Sequence, residues 1–103
     1  MNTEIAARQL EALGNETRLD IYRHLVRAGH AGLPVGHLQE RMGTPASTLS
    51  HHLKRLLATE LVTQERQSTV LICRARYPAM RALVSFLIDE CCADEACGPS
   101  PGA

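Results

Sequence analysis

T-P-A-S-T-L-S-H-H-L-K-R-L-L-A-T-E, residues 44–60, is the stretch whose reading decides the fold. Its apolar residues Leu49, Leu53, Leu56 and Leu57 recur at helical spacing and make one stripe. Thr44 is a suitable N-cap and Pro45 suits the first helical position, where a missing N–H costs nothing. The opposite face carries Ser47, Thr48, Ser50 and His51, then Lys54 and Arg55. Short hydrogen-bonding groups followed by cations is the order that a helix entering the DNA major groove requires. A solvated helix face offers similar residues, so the segments on either side must decide.

Upstream, residues 4–13 read as a short helix with Ile5, Ala6, Leu10 and Leu13 on one side, ended by Gly14. Asn15 caps a second helix that runs to about Ala28, with Leu19, Tyr22, Leu25 and Val26 as its core face. A third, Val35 to Met42, turns Val35, Leu38 and Met42 inward and stops at Gly43. Two helices joined by a tight glycine-containing turn, the second with a polar leading edge, form a helix-turn-helix. Downstream the period changes. Leu61–Arg66 and Thr69–Arg74 are rich in β-branched residues and read as a hairpin, with Gln67-Ser68 between the strands. A basic hairpin in this position is a wing. Tyr77 and Pro78 open a last helix to about Cys92, striped by Met80, Leu83, Val84, Leu87 and Ile88, with Phe86 off the stripe. That is more apolar surface than one small domain covers, so a second copy of the chain is the expected partner, with the first helix completing the interface. The expected fold is mainly α with a small β-hairpin, a winged helix-turn-helix over residues 1–92, followed by a flexible cysteine-containing tail, 93–103.

Charge and cysteine usage narrow the function. The formal net charge is zero, but residues 45–76 hold five Lys and Arg against two Glu, and residues 89–103 hold four acids and no base. No apolar run approaches a membrane span, and the N-terminus shows no secretory pattern, so a cytoplasmic protein is expected. Of the cysteines, Cys91, Cys92 and Cys97 cluster, while Cys73 lies in the second wing strand and reads as a small apolar core residue. In a reducing compartment a cluster of this kind points to metal or redox chemistry. His52 is expected to be partly packed, and His24, His30 and His37 to lie at the surface.

The residues A-L-G-N-E-T-R-L-D-I-Y-R-H-L at 12–25 and S-T-L-S-H-H-L-K-R-L at 47–56, in this order of elements, resemble the ArsR/SmtB family of metalloregulatory repressors. The resemblance spans about residues 5–90. It implies a winged-helix homodimer that represses an operon by binding palindromic double-stranded operator DNA and releases it when an inducer binds. A family arsenite site built on Cys-Val-Cys is absent, because V-G-H-L-Q-E-R-M at 35–42 has no cysteine. A family zinc site on the last helix is also absent, since Asp89 and Glu90 have no histidine companion. The Cys91-Cys92…Cys97 cluster instead resembles a subgroup whose arsenic site is a vicinal pair plus one further cysteine.

Three thiolates suit a pyramidal trivalent ion, and two suffice for a methylated arsenical. The expected inducer is therefore arsenite or methylarsenite, with antimonite a further candidate, and no cofactor is permanently bound. Ser47, Thr48, Ser50 and His51 are expected to face bases. Lys54, Arg55, Arg66, Gln67 and Arg74 are expected at the DNA, the arginines and the lysine on phosphates. A redox-sensing repressor using the same cysteines and a zinc-responsive one remain alternatives. An enzyme is not expected, for there is neither a C-x-x-C motif nor a βαβ pattern.

Overall fold

The computed structural model describes residues 1–95. Five helices and three short strands follow in the order α1 (Thr3–Leu13), α2 (Glu16–Ala28), β1 (Leu33–Pro34), α3 (Val35–Met42), α4 (Ala46–Ala58), β2 (Val62–Gln67), β3 (Val70–Ala75) and α5 (Tyr77–Ile88), with a 3-10 turn at Gly29–Ala31. The fold is the expected winged helix-turn-helix. The core gathers Ile21, Tyr22 and Leu25 of α2, Leu38 of α3, Leu49, Leu53 and Leu56 of α4, then Leu61, Val62, Cys73, Ala75 and Ala79. Cys73 is fully buried, and its burial pushes the thiol pKa up, as a core residue requires.

Local sequence accounts for most boundaries. Asn2 and Asn15 each accept from the backbone N–H three residues on, at Ile5 and Arg18, and so start α1 and α2. Gly43, in the left-handed conformation, closes α3 by donating to the Gln39 carbonyl. The opening of α4 differs from expectation. Pro45 takes the cap position rather than the first helical position, and its carbonyl accepts from Leu49. A residue before proline is driven into extended conformation, so Thr44 is held one step outside the helix. Its hydroxyl caps nothing and is buried without a partner.

Three further expectations are corrected. The sheet has a third strand, β1, paired with β3 through Leu33 opposite Cys73, so the strand order is β1-β3-β2. Two residues are too few for a period to show. The wing turn is Ser68-Thr69, since Gln67 pairs with Val70, and Ser68 supplies the positive φ of 59° that the tight turn needs. The last helix ends at Ile88 rather than near Cys92. Asp89 and Glu90 at its C-terminus oppose the helix dipole, and the chain goes on in turns, with Cys91 donating its N–H to the Ile88 carbonyl.

Two faces also fall differently. Leu19 is exposed while Ile21 and Arg18 are buried, so the inward face of α2 is rotated from the expected one. Ile5 and Leu10 of α1 point outward, and Ala6, Gln9 and Ala12 point inward. Of the histidines expected at the surface, His30 and His37 are exposed and His24 is half-buried.

Gly32 fixes how closely β1 approaches β3. It has a φ of 70°, and a Cβ there would lie 2.5 Å from the Cys73 carbonyl oxygen and 2.9 Å from Ile72 Cγ2. Gly43 has a similar φ but open space around it. Gly32→Ala should therefore lose about 3 kcal/mol, from backbone strain plus overpacking, and Gly43→Ala about 1 kcal/mol, from the left-handed backbone alone. Urea unfolding of the two variants checks the ranking.

Candidate nucleic-acid interface and thiol pair

The candidate interface is the outer face of α4. Burial of Leu49, Leu53 and Leu56 sets the rotation of the helix. That rotation leaves Ser47, Thr48, Ser50, His51, Lys54 and Arg55 exposed, as the sequence pattern required. The helix is therefore presented with hydroxyls at its N-terminal end and cations one to two turns later. Arg66 and Gln67 extend the exposed polar surface along β2 to the wing tip.

Not every expected cation is equally available. Arg74 is half-buried and doubly engaged. Its Nε donates to the His30 carbonyl at 2.8 Å, and its Nη1 donates to Glu65 Oε1 at 2.7 Å. These bonds tie the wing to the 3-10 turn, and they hold the Glu65 carboxyl below the usual carboxylate range, helped by Gln67 Nε2. The guanidinium of Arg74 thus shapes the wing. Arg55 Nη2 donates to Glu11 Oε1 at 3.1 Å in an exposed pair of small energetic weight. Between α1 and α4 this pair spans an open cleft of about 370 Å³, where His51 and Lys54 face Arg8.

His52 sits on the flank of α4, half-buried as expected, with its Nδ1 3.3 Å from Arg18 Nη1. Its pKa is lowered, first by burial and then by the charges of Arg18, His51 and Arg55. Arg18 carried no signal of this in the sequence, because a charged residue on a helix reads by default as solvated. Tyr22 is likewise buried. Among the described residues its hydroxyl has no hydrogen-bond partner, and its pKa is pushed up to about 12 by burial and by neighbouring Tyr77. Tyr77 is fixed by donating to the Val26 carbonyl at 2.9 Å and by an edge contact with the His30 ring.

The thiol pair lies beyond α5, near the C-terminal end of the described residues. Cys91 and Cys92 occupy the turns after α5, with their Sγ atoms 3.7 Å apart. Cys91 is exposed and Cys92 half-buried. Cys92 and Glu90 both have a φ of 61°, in the left-handed region. Cys97, the expected third ligand, lies outside the described residues. Among the described residues no group of three His, Cys, Asp or Glu is gathered in a metal-binding arrangement, and no helix is long and apolar enough to cross a membrane.

Comparison with known proteins agrees with the winged helix-turn-helix fold. Residues 13–65 match a helix-turn-helix domain family. The nodulation protein NolR of Rhizobium meliloti is 34% identical over 88 residues, which covers 85% of this chain and 70% of that protein. The crystal structure of NolR from Sinorhizobium fredii superposes with a TM-score of 0.67 at 32% identity, over 82% of each chain. An ArsR-like transcriptional regulator from Rhodococcus superposes with a TM-score of 0.72 at 25% identity, over 82% of this chain and 76% of that one. A homodimeric winged helix-turn-helix DNA-binding domain from Mycobacterium bovis, described as a possible ArsR-family regulator, superposes with a TM-score of 0.66 at 28% identity, over 84% of this chain and 81% of that one. With the winged fold, the helix-turn-helix match and these relatives together, the chain belongs to the ArsR/SmtB family of winged helix-turn-helix transcriptional regulators.

Proposed function

We propose that the protein is a homodimeric repressor that leaves its operator when trivalent arsenic binds Cys91, Cys92 and Cys97. The observation that carries the inducer half of this reading is the 3.7 Å approach of the Cys91 and Cys92 sulfurs on an accessible turn. Two thiolates so placed can share one soft ion, and soft ligands select soft ions. The third would come from Cys97, five residues further along. The relatives carry the regulator half but not the inducer, so arsenic rests on the thiols alone.

Dimerisation follows from uncovered apolar surface. Val84, Leu87 and Ile88 of α5 are 53, 57 and 65% exposed, and Ile5 and Leu10 of α1 are exposed too. α1 and α5 are in contact, so these residues supply one interface. Burial of each large side chain there would contribute about 1.5–3 kcal/mol at most. Two copies of α4 would then read half-sites about 34 Å apart, or a multiple of that spacing. Ser47, Thr48, Ser50 and His51 are placed for bases, and Lys54, Arg55 and Arg66 for phosphates. Because Cys91 lies only three residues beyond Ile88, closing a thiolate site would act directly on the dimer face. A coupling of about 1–3 kcal/mol, roughly 5–150-fold in DNA affinity, is the usual size of such an effect.

The DNA half is tested with a duplex selected by the wild-type protein from a random pool. Lys54→Ala and Arg66→Ala should each weaken binding evenly across sequences and reduce the salt slope by about 1. Ser47→Ala or Ser50→Ala should instead relax preference at particular base pairs, by about 1–3 kcal/mol each. Equal losses of preference in all four variants would contradict the division of roles.

The inducer half is tested by titrating the protein–DNA complex with arsenite, methylarsenite, antimonite, zinc and peroxide. Arsenite should release wild type, while Cys91→Ser and Cys92→Ser should stay bound. Cys97→Ser should lose the arsenite response and keep that to methylarsenite. Release by peroxide with no response to arsenite would replace this reading with a thiol redox sensor.

A further inference from the structure

Arg18 is a buried cation that no acid among the described residues balances. It is 9% exposed, and among the described residues its guanidinium enters no ion pair. Its Nε donates to the Ala12 carbonyl at 2.6 Å, and its Nη1 lies 3.3 Å from Nδ1 of His52. Its backbone N–H is held by the Asn15 side chain. One residue thus ties the end of α1 and the start of α2 to the flank of α4. A guanidinium has donors only, so Nδ1 of His52 must be the acceptor in this contact. The ring is then neutral and its one proton is on Nε2.

We infer that Arg18 is a positioning residue for DNA reading, which locks His52 of α4 in the neutral Nε2–H tautomer and so holds in one orientation a ring whose centroid lies 5.9 Å from that of His51 on the base-facing surface. This rests on the reading of α4 as the recognition helix. The charged and titratable groups acting on His52 are Arg18 from α2 and His51 and Arg55 from α4 itself. Glu11 of α1, the nearby acid, is turned to Arg55. Burial and these charges disfavour the doubly protonated ring, and the donor-only guanidinium at 3.3 Å leaves Nδ1 as the bare nitrogen.

The sign of the pH effect follows. The folded pKa lies below the ordinary histidine value of about 6.5. Between the two values the unfolded chain binds the proton and the folded chain does not. The lock therefore contributes in full above about pH 6.5 and is lost as the pH falls toward the folded value.

The test joins a spectrum to a binding cycle. In the full chain at pH 7.5, long-range proton–nitrogen correlation of the imidazole nitrogens should show His52 protonated on Nε2 and bare on Nδ1. Arg18→Met should give a mixture of tautomers. With the selected duplex as probe, Arg18→Met and His52→Leu should each weaken binding about tenfold, the scale of one charge-assisted hydrogen bond. The double variant should be no weaker than the poorer single one, since coupled residues are non-additive. His52→Asn, whose Oδ1 can take the acceptor position of Nδ1, should stay within about threefold of wild type.

A proton on Nδ1 of the wild-type ring, or fully additive losses, would overturn the inference. Should Arg18→Met fail to fold, the wild-type spectrum and the contrast between His52→Leu and His52→Asn still decide. If no duplex is selected at all, the recognition-helix reading fails and the DNA role of Arg18 with it, whereas a lone Nδ1–H signal would sink the lock and leave that reading standing.

Discussion

The burial of one leucine stripe governs this molecule. Leu49, Leu53 and Leu56 are at most 2% exposed. Each large aliphatic side chain removed from water contributes about 1.5–3 kcal/mol, an upper figure because the unfolded chain is itself partly collapsed. No polar contact of α4 competes with that sum. The rotation of the helix is therefore fixed by its apolar side, and the positions of Ser47, His51 and Lys54 are consequences of it. A chain of neutral net charge can present a locally basic reading surface because packing, rather than electrostatics, decides which residues face outward.

The same constraint explains what could be read from the sequence. Helices were legible wherever a 3.6-residue stripe coincided with a side-chain or glycine cap, as at Asn15 and Gly43. The wing was legible from β-branched runs, although its turn was displaced by one residue because Ser68 can adopt a positive φ that no residue type announces. β1 escaped because Leu33-Pro34 is held by its partner strand and has no pattern of its own. The start of α4 misled for a specific reason: Thr44 and Pro45 each suit a helix start, but in sequence the proline forces the threonine out of reach. The outer face of α4 was readable residue by residue. Its flank was not, because a buried arginine bonded to a histidine has the same local pattern as a solvated pair.

Selection of partners in α1 and α5 shows how far amphipathic analysis carries. The last helix, with a stripe of five apolar residues and Phe86 off it, was read as more apolar than one domain can cover, and three of the five are exposed. Only the three-dimensional arrangement separates its parts. Leu83, with Met80 partly covered, packs on the core, and Val84, Leu87 and Ile88 face away from it. In α1 the division is reversed in size: small Ala6 and Ala12 pack inward, where helices approach closely, and the larger Ile5 and Leu10 are left outside. Small-inside, large-outside is the opposite of an ordinary surface helix, and it is consistent with a second apolar surface lying beyond.

On the proposed reading the placement of the thiols gives that surface a use. An inducer shifts an equilibrium only by its differential affinity for two states. A site within the α4 reading face would block DNA directly and need no second state. Cys91 and Cys92 are instead set just past Ile88, where α5 gives way to turns that include two left-handed residues. Ion binding there would, on the proposed reading, act first on the neighbouring Leu87 and Ile88 and not on the buried Leu49 or Leu53. On the proposed reading, then, the thiol site gains its leverage by lying away from the rigid leucine stripe and next to the exposed apolar face. On that reading the burial that fixes α4, in mid-chain, and the thiols that would drive release, past α5, lie in separate parts of the fold.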